Sequence, residues 1–257
     1  MLSIGIDSGS STTKGVLFDG DRVLDKVIWP TGANPKRTIK TVHEKLYESA
    51  RALGHDAYTV TTGYGRDLLE EADKKVTEIT CHGRGAAVLH KDVATVIDIG
   101  GQDSKVICLD RDKNVRDFLM NDKCAAGTGR FVEVIMRLLH QDLFDLDDYV
   151  QASEPTKISS MCTVFAESEV ISLLAQDIPG ESIARGVIAS ICERTSTFSK
   201  RLPIEGKVFF SGGLAQFKVI RNDLEKCLGL EVVTHEDAQL TGAIGAASIG
   251  MQKIKAL

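Results

Sequence analysis

The sequence predicts an α/β fold built from two similar halves that face each other across a cleft. The main observation is an internal repeat, in which IGIDSGSSTTKGVLFDGDR (residues 4–22) aligns without a gap on TVIDIGGQDSKVICLDRDK (residues 95–113). At this offset Asp7 falls on Asp98 and Lys14 falls on Lys105. Each copy also has the same local pattern, which is an apolar strand, a polar turn with glycine, a second strand and a second turn. The fold is therefore expected to be duplicated.

The elements that follow each copy also correspond. RVLDKVIW and VRDFLMN read as third strands, and each precedes a helical stretch, PKRTIKTVHEKLYESARAL or GRFVEVIMRLLH. In the first helix, Ile39, Val42, Leu46 and Leu53 fall near helical spacing and are expected to face the core. Later, SIARGVIASICERTSTFSK reads as a helix, and KVFFSGGLAQ runs an apolar strand into Gly212-Gly213 and then a helix.

Composition and charge exclude several classes of protein. The net charge of -5, with no basic run longer than a pair, gives no reason to expect a nucleic-acid partner. The sequence offers neither eighteen consecutive apolar residues nor a charged segment with a cleavage site, so we expect no membrane association and a cytoplasmic location. Six cysteines without a secretory signal argue against a disulfide framework and leave metal ligation, reactivity or burial.

The two polar turns predict a site for phosphates and a divalent cation. The turn after Asp7 offers backbone N–H groups, several hydroxyls and Lys14 as a cation. Asp7 and Asp98 are hard oxygen ligands that could hold Mg²⁺, mostly through water, or orient an attacking water. A single turn of this kind is usually an ordinary hairpin tip, but two copies facing each other favour the site. Gln102 and Asp103, the second-turn counterparts of Ser11 and Thr12, are expected to sense the γ-phosphate, so the candidate catalytic residues are Asp7, Asp98, Gln102 and Asp103.

Three of these motifs carry a family resemblance. IGIDSGSSTTK, DIGGQDSK and FFSGGLAQ are similar to the two phosphate motifs and the adenosine motif of the acetate kinase, sugar kinase, Hsp70 and actin superfamily. The resemblance implies duplicated actin-like ATPase (ribonuclease H-like) domains, with residues 1–92 in the first and 93–257 in the second, and with the C-terminal helix able to pack back on the first. It also implies a set of nucleotide-binding residues, which are Gly9, Ser10, Ser11, Thr12, Lys14, Gly100, Gly101, Gly212, Gly213, Gln216 and Gln239.

Two cysteine segments narrow the resemblance. NDKCAAGTGRF and SSMCTVFAESEVISLL resemble the cysteine signatures of the ATP-dependent activators (component A) of 2-hydroxyacyl-CoA dehydratases, in the BadF/BadG/BcrA/BcrD ATPase family. That family implies a homodimer with one 4Fe-4S cluster between its subunits, bound by Cys124 and Cys162 of each chain. It also implies ATP, ADP and Mg²⁺ as cofactors, a dehydratase component as partner, and a ferredoxin or flavodoxin as electron donor. The function implied is delivery of a single low-potential electron coupled to ATP hydrolysis.

The number of candidate cysteines agrees with a cluster shared between two chains. A 4Fe-4S cluster needs four thiolates, and the sequence lacks the compact ferredoxin spacing that would supply them locally. Cys124 and Cys162 each precede a predicted helix, so two thiols per chain, doubled by symmetry, make four. Cys108, Cys192 and Cys227 fit burial better.

The residues around the two candidate thiols carry further expectations. The helices after Cys124 and Cys162 would direct their positive ends, and Gly127 and Thr128 their N–H groups, towards the anionic cluster. We interpret Glu167 and Glu169 as ordinary acidic residues near a helix start and not as catalytic groups. The pair Cys81-His82 is interpreted as structural.

Two other functions use the same turns. A small-molecule kinase of the superfamily would employ Asp98 or Asp103 as the base that deprotonates a substrate hydroxyl. A nucleotide-gated binding protein would only close its cleft on ATP. Neither function requires Cys124 and Cys162.

Overall fold

Two mixed β-sheets organise the chain. The computed structural model describes residues 1–159 and 162–256, and each sheet in this part has five strands. The first sheet has the order β3-β2-β1-β4-β5. Its strands are β1 (Leu2–Ser8), β2 (Thr12–Phe18), β3 (Val23–Pro30), β4 (Ala57–Thr62) and β5 (Lys74–Lys75).

The second sheet repeats the topology of the first. It contains β6 (Val93–Ile99), β7 (Ser104–Leu109), β8 (Val115–Asn121), β9 (Lys207–Ser211) and β10 (Val232–Val233). The order is β8-β7-β6-β9-β10. In both sheets the first three strands are antiparallel, and the fourth is parallel to the first. The predicted duplication and α/β fold class are confirmed.

Eight α-helices in the described residues cover these sheets. They are α1 (Pro35–Ala52), α2 (Glu78–Leu89), α3 (Gly129–Leu138), α4 (Leu146–Tyr149), α5 (Thr163–Leu174), α6 (Gly180–Ser199), α7 (Lys218–Leu228) and α8 (Thr241–Ile254). No helix in this part of the chain is both long and apolar enough to span a membrane.

Helix α1 shows why the repeat forms a layered structure. Pro35 occupies its first turn, and the Asn34 side chain accepts a hydrogen bond from the Arg37 N–H at 3.0 Å, which caps the helix. Its apolar residues pack against the first sheet and are buried as expected at Ile39, Val42 and Leu46. Leu53 was expected on the same face but is exposed, because the helix ends at Ala52 and the chain turns away through Gly54, whose φ is 76°.

Helices α2 and α8 cross between the two halves. Helix α8 packs on β1, β2 and β4 of the first sheet, whereas α2 contacts β6, β7 and β8 of the second. The two helices also pack on each other so closely that a Cβ at Gly85 would overlap the Thr241 carbonyl, and one at Gly245 would overlap the Cys81 carbonyl. The C-terminal helix therefore packs on the first sheet, and the division of domains at residues 92 and 93 stays a prediction.

At the α2–α8 contact, adding a single methyl group is expected to reduce the stability of the fold strongly. We expect Gly85→Ala to lower the free energy of unfolding by about 2 kcal/mol, because the added methyl group forces two helix backbones apart. Urea denaturation followed by circular dichroism measures the change. Gly213→Ala is the matched control, since a Cβ there would meet no atom within 4 Å. Equal urea midpoints for Gly85→Ala and the wild-type chain would contradict this account of the crossing.

Candidate functional site

The cleft between the two sheets contains a cavity of about 700 Å³. The β1–β2 turn, the β6–β7 turn, the turn after β9 and the first turns of α2 line it. Fourteen of the residues predicted from the sequence lie on its wall, and these are Asp7, Gly9, Ser10, Ser11, Thr12, Lys14, Asp98, Gly100, Gly101, Gln102, Asp103, Gly212, Gly213 and Gln239. The fold thus brings the repeated turns together, as the pattern indicated.

A second cavity of about 330 Å³ adjoins the first. It shares Gly212, Gly213 and Gln239 with the main cavity and adds Gln216 and the side of α7 at Lys218. Gly212 has a φ of 92°, and a Cβ there would overlap the Ile99 carbonyl of β6, so this turn requires glycine. The glycine turn therefore exposes backbone to both cavities.

Each repeat places one aspartate opposite one lysine across an antiparallel strand pair. Asp7 pairs in register with Lys14, and Asp98 pairs with Lys105. Lys14 Nζ lies 3.6 Å from Asp7 Oδ2, and Lys105 Nζ lies 3.3 Å from Asp98 Oδ2. Because cross-strand neighbours share one face of the sheet, the β-hairpin itself produces the charge pair.

Asp98 is buried and has three partners. The Ser211 hydroxyl donates to its Oδ1 at 2.7 Å, and His82 Nε2 lies 3.5 Å from the same oxygen. Burial alone would raise the pKa of Asp98, but the charges of His82 and Lys105 and the hydrogen bond from Ser211 lower that pKa well below its usual range. Asp98 is therefore ionised at neutral pH, as a cation ligand or water-orienting group must be.

Lys105 and Asp103 complete this network. Lys105 Nζ donates to Asp103 Oδ2 at 2.8 Å, and the lysine side chain is only 3% exposed. Burial would lower the pKa of Lys105, but the carboxylates of Asp98 and Asp103 raise it above the ordinary value. Gln102, next to Asp103, is exposed at the tip of the turn. The cavity wall thus carries a fixed cation at the start of β7 and an exposed amide in the turn before it.

Seven residues on the cavity wall were not predicted as site residues, namely Tyr64, Arg66, Glu78, His82, Lys105, Met120 and Asp122. Lys105 could have been found as the repeat partner of Lys14, whereas Tyr64 and Arg66 lie in the segment TGYGRDLLE at the end of β4. His82 was interpreted as structural, yet it contacts Asp98. Glu78 begins α2, and burial raises the pKa of its carboxyl group. No sequence signal marked Glu78, because only the crossing of α2 brings it to the cleft.

The cysteines divide into two groups. Cys124 and Cys162 are exposed, whereas the other four are buried or half-buried. Burial raises the pKa of Cys81 to about 12 and also raises the pKa of the other non-exposed thiols, Cys108, Cys192 and Cys227. Without a metal ion, these four thiols therefore stay protonated at neutral pH. The exposed pair consists of the two cysteines singled out from the sequence.

The helices near the exposed cysteines differ from each other. Cys162 is the N-cap residue of α5, so its thiol lies beside the positive end of a twelve-residue helix. Cys124 instead precedes a short 3-10 turn, Ala125–Gly127, and α3 begins only at Gly129. The N–H and hydroxyl of Thr128 both donate to the Ala125 carbonyl. The expected helix-dipole effect is thus present in the geometry at Cys162 and interrupted by the turn at Cys124.

The start of α3 is bonded directly to the β6–β7 turn. The N–H groups of Gly129 and Arg130 donate to the carbonyls of Gly100 and Gly101 at 2.8 and 2.9 Å. A Cβ at Gly129 would lie 3.1 Å from the Gly100 oxygen, so the close approach depends on glycine. These bonds connect the turn directly to the segment that follows Cys124.

Comparison with known proteins agrees with this geometry. Residues 4–250 match the BadF/BadG/BcrA/BcrD ATPase family. The chain is 49% identical to the uncharacterized protein YjiL of Escherichia coli K12, with 97% of each chain covered. It is 40% identical to the (R)-2-hydroxyglutaryl-CoA dehydratase activating ATPase of Acidaminococcus fermentans, with 98% of each covered.

A solved structure shows the same fold. The activator of the 2-hydroxyisocaproyl-CoA dehydratase from Clostridium difficile, with bound ADPNP, superposes with a TM-score of 0.91 at 38% identity. The alignment covers 100% of this chain and 96% of that one. Fold and cleft together define an ATPase of actin-like architecture. Within that class, the chain belongs to the BadF/BadG/BcrA/BcrD ATPase family.

Replacing either cleft aspartate is expected to reduce ATP turnover. We expect Asp7→Ala and Asp98→Ala each to reduce ATP turnover at least about a hundredfold, because cation or water positioning is lost. Steady-state phosphate release with Mg²⁺ measures the effect. Asp110→Ala is a suitable control, since it removes a repeat-matched aspartate outside the cavity wall. Unchanged turnover in both cleft variants would overturn the assignment.

Proposed function

We propose that this chain is an ATP-dependent activator of a 2-hydroxyacyl-CoA dehydratase, which hydrolyses ATP and delivers a single low-potential electron to the dehydratase component. The names of two of its relatives support the dehydratase as partner. The observation that carries the coupling is the pair of hydrogen bonds from Gly129 and Arg130 to Gly100 and Gly101. Through these bonds, a turn that would contact phosphate is attached to the segment after an exposed thiol.

The cleft supports ATP as the nucleotide. Phosphate groups would lie against the two repeated turns, where Lys14 and Lys105 supply positive charge. The adenosine would extend towards Gly212-Gly213 and the second cavity, near Gln216 and Gln239. The two turns approach so closely that a Cβ at Gly101 would overlap the Ser11 hydroxyl, so one phosphate chain could contact both.

The chemistry of the aspartates fits Mg²⁺. Asp7 and Asp98 present carboxylate oxygens to the cavity, and the lowered pKa of Asp98 keeps that group anionic. When bound, Mg²⁺ would neutralise charge on the phosphates. The residues themselves hold and orient the nucleotide: Lys105 fixes Asp103, and Gln102 projects from the same turn towards the position expected for the γ-phosphate.

The two exposed thiols fit half of a 4Fe-4S site. Cysteine thiolates are the usual ligands of such clusters, and Cys124 and Cys162 are the exposed cysteines of the chain. Within residues 1–159 and 162–256, no three potential ligand side chains lie close enough to hold one metal ion. Two copies of the chain would therefore be needed to supply four thiolates. The cluster, when bound, would supply a one-electron carrier.

The surface beside Cys162 supports a homodimer. Val164 and Phe165, in the first turn of α5, are 67% and 70% exposed. Large apolar side chains grouped beside a thiol are typical of a surface that a partner covers. A second copy of the chain would bury them and bring its own two thiols to the same place. The proposed electron donor is a ferredoxin or flavodoxin, and the proposed location is the cytoplasm.

The energy required is within the reach of ATP hydrolysis. Lowering a one-electron potential by roughly 200 mV costs about 4.6 kcal/mol, since 59 mV corresponds to a tenfold change in the equilibrium constant. A change in hydrogen bonding or solvent access around a cluster alters its potential. The Gly100–Gly129 contact provides a route by which nucleotide state could produce such a change at the Cys124 loop.

Iron content gives a stoichiometric prediction. Anaerobically purified protein should be brown and contain about two iron atoms per chain, because the cluster would lie on the symmetry axis of a dimer. Cys124→Ser and Cys162→Ser should each remove the iron and the visible absorption, while the dissociation constant for ADP changes less than about twofold. Cys227→Ser serves as the control and should retain both. A colourless anaerobic preparation would favour the kinase or the gated binding protein.

Replacing Gln102 should affect ATP-dependent electron transfer more than it affects ADP binding. We expect Gln102→Ala to slow ATP-dependent electron transfer at least about tenfold, because an amide facing the γ-phosphate acts only when that phosphate is present. The affinity for ADP should change little. Stopped-flow reduction of the dehydratase and calorimetric titration with ADP measure the two quantities. Equal losses in both would indicate that the turn has only a structural role.

A further inference from the structure

The backbone near each exposed cysteine is held by one polar side chain. The Cys124 N–H donates to Asn121 Oδ1 at 3.1 Å, and Asn121 Nδ2 donates back to the Cys124 carbonyl at 2.9 Å. On the other segment, the N–H and the hydroxyl of Ser159 both donate to Glu169 Oε1, at 2.9 and 2.5 Å. At least two hydrogen bonds therefore connect each segment to a single side chain.

Both side chains extend from rigid elements. Asn121 is the last residue of β8 and pairs in register with Ser104 of β7. Glu169 lies in α5, which buries Ala166 and Val170 in the core of the second half. The loop before Cys162 is also attached to α6, since the Thr156 N–H donates to the Ser182 carbonyl at 2.9 Å. A ligand on a loop is positioned accurately only when rigid neighbours hold that loop.

These hydrogen bonds restrict the positions of the two thiols, because they hold the chain at or near each cysteine. Asn121 binds the backbone of Cys124 itself, so it fixes that residue directly. Ser159 precedes Cys162 by three residues, and three extended residues span at most about 11 Å. Cys162 itself is bonded to α5, since the Ala166 N–H donates to its carbonyl at 2.9 Å, and Glu169 bonds the chain three residues earlier to the same helix. The carboxylate that the sequence marked as an ordinary helix-start residue instead connects α5 to the loop before its own N-cap.

We propose that Asn121 and Glu169 are positioning residues that hold the Cys124 and Cys162 loops in the arrangement required for cluster binding. This assignment rests on the proposed function for the identity of the ligand. The hydrogen bonds themselves make a prediction that is independent of any metal. Removing either side chain should free one cysteine loop and leave the other in place.

Measurements on the metal-free chain test the loops one at a time. Glu169→Ala should increase amide hydrogen exchange at Ser159 roughly tenfold, because a hydrogen bond to a charged acceptor is lost. It should also raise the rate of iodoacetamide labelling of Cys162 at least about threefold, with Cys124 unchanged. Asn121→Ala should have the reverse selectivity. Glu169→Gln keeps an oxygen acceptor and should restore most of the protection, whereas Asn121→Asp can accept from the Cys124 N–H but cannot donate to its carbonyl and should restore about half.

The control and the loaded protein complete the test. Glu167→Ala alters a neighbouring carboxylate of α5 and should leave exchange and labelling at wild-type rates. In the iron-loaded dimer, Glu169→Ala and Asn121→Ala should accelerate iron release to a chelator about tenfold, as expected for residues that orient metal ligands. Wild-type exchange and labelling in both alanine variants would overturn the positioning role. If the alanine variants show the selective labelling changes but the wild-type chain binds no iron, the proposed function is overturned and the loop constraint stands.

Discussion

The buried carboxylate of Asp98 is the group on which the arrangement of the cleft depends. An ionised carboxylate removed from water costs several kcal/mol unless charges and hydrogen bonds compensate it. Its partners come from three other elements, since Lys105 lies on β7, Ser211 on β9 and His82 on α2. These elements must therefore meet at one point for the second half to be stable. The same convergence places the turns around a common cavity.

The two copies of the repeat have diverged around this shared geometry. In the first copy, Lys14 is 16% exposed, and the turn is rich in hydroxyls; in the second, Lys105 is 3% exposed, and the turn is glycine-rich. Only the second turn is bonded to the start of α3. A more accessible cation suits binding of a mobile anion, whereas a buried one suits a fixed framework. Under the proposed function, the first copy would contact the nucleotide and the second would convey its state.

Much of the fold was predictable because it depends on local patterns. The repeat gave the strands and the two turns, since an antiparallel hairpin places its polar tip and its cross-strand pair by register alone. The crossing of α2 and α8 could not be predicted from the sequence, because the periodicity of a helix does not show which sheet the helix covers. This limitation hid Glu78 and His82, which reach the cavity only through that crossing. The contact of Glu169 with Ser159 was not predictable either, because no periodicity connects a helix residue with a loop residue ten positions earlier.

Helix α8 covers the first sheet and α2 contacts the second, and this arrangement limits the order in which the chain can fold. Strand β1 is made first, but one of its faces is covered by α8, whose residues 241–254 are made more than two hundred residues later. The entropy cost of closing so long a loop arises before the contacts between α8 and β1 can form. Folds dominated by contacts between residues distant in sequence therefore form slowly. On the ribosome, the first sheet therefore emerges with apolar surface that has no cover. Chaperone binding during synthesis is the natural protection for a chain with this topology, because the first half cannot be completed until the second has been made.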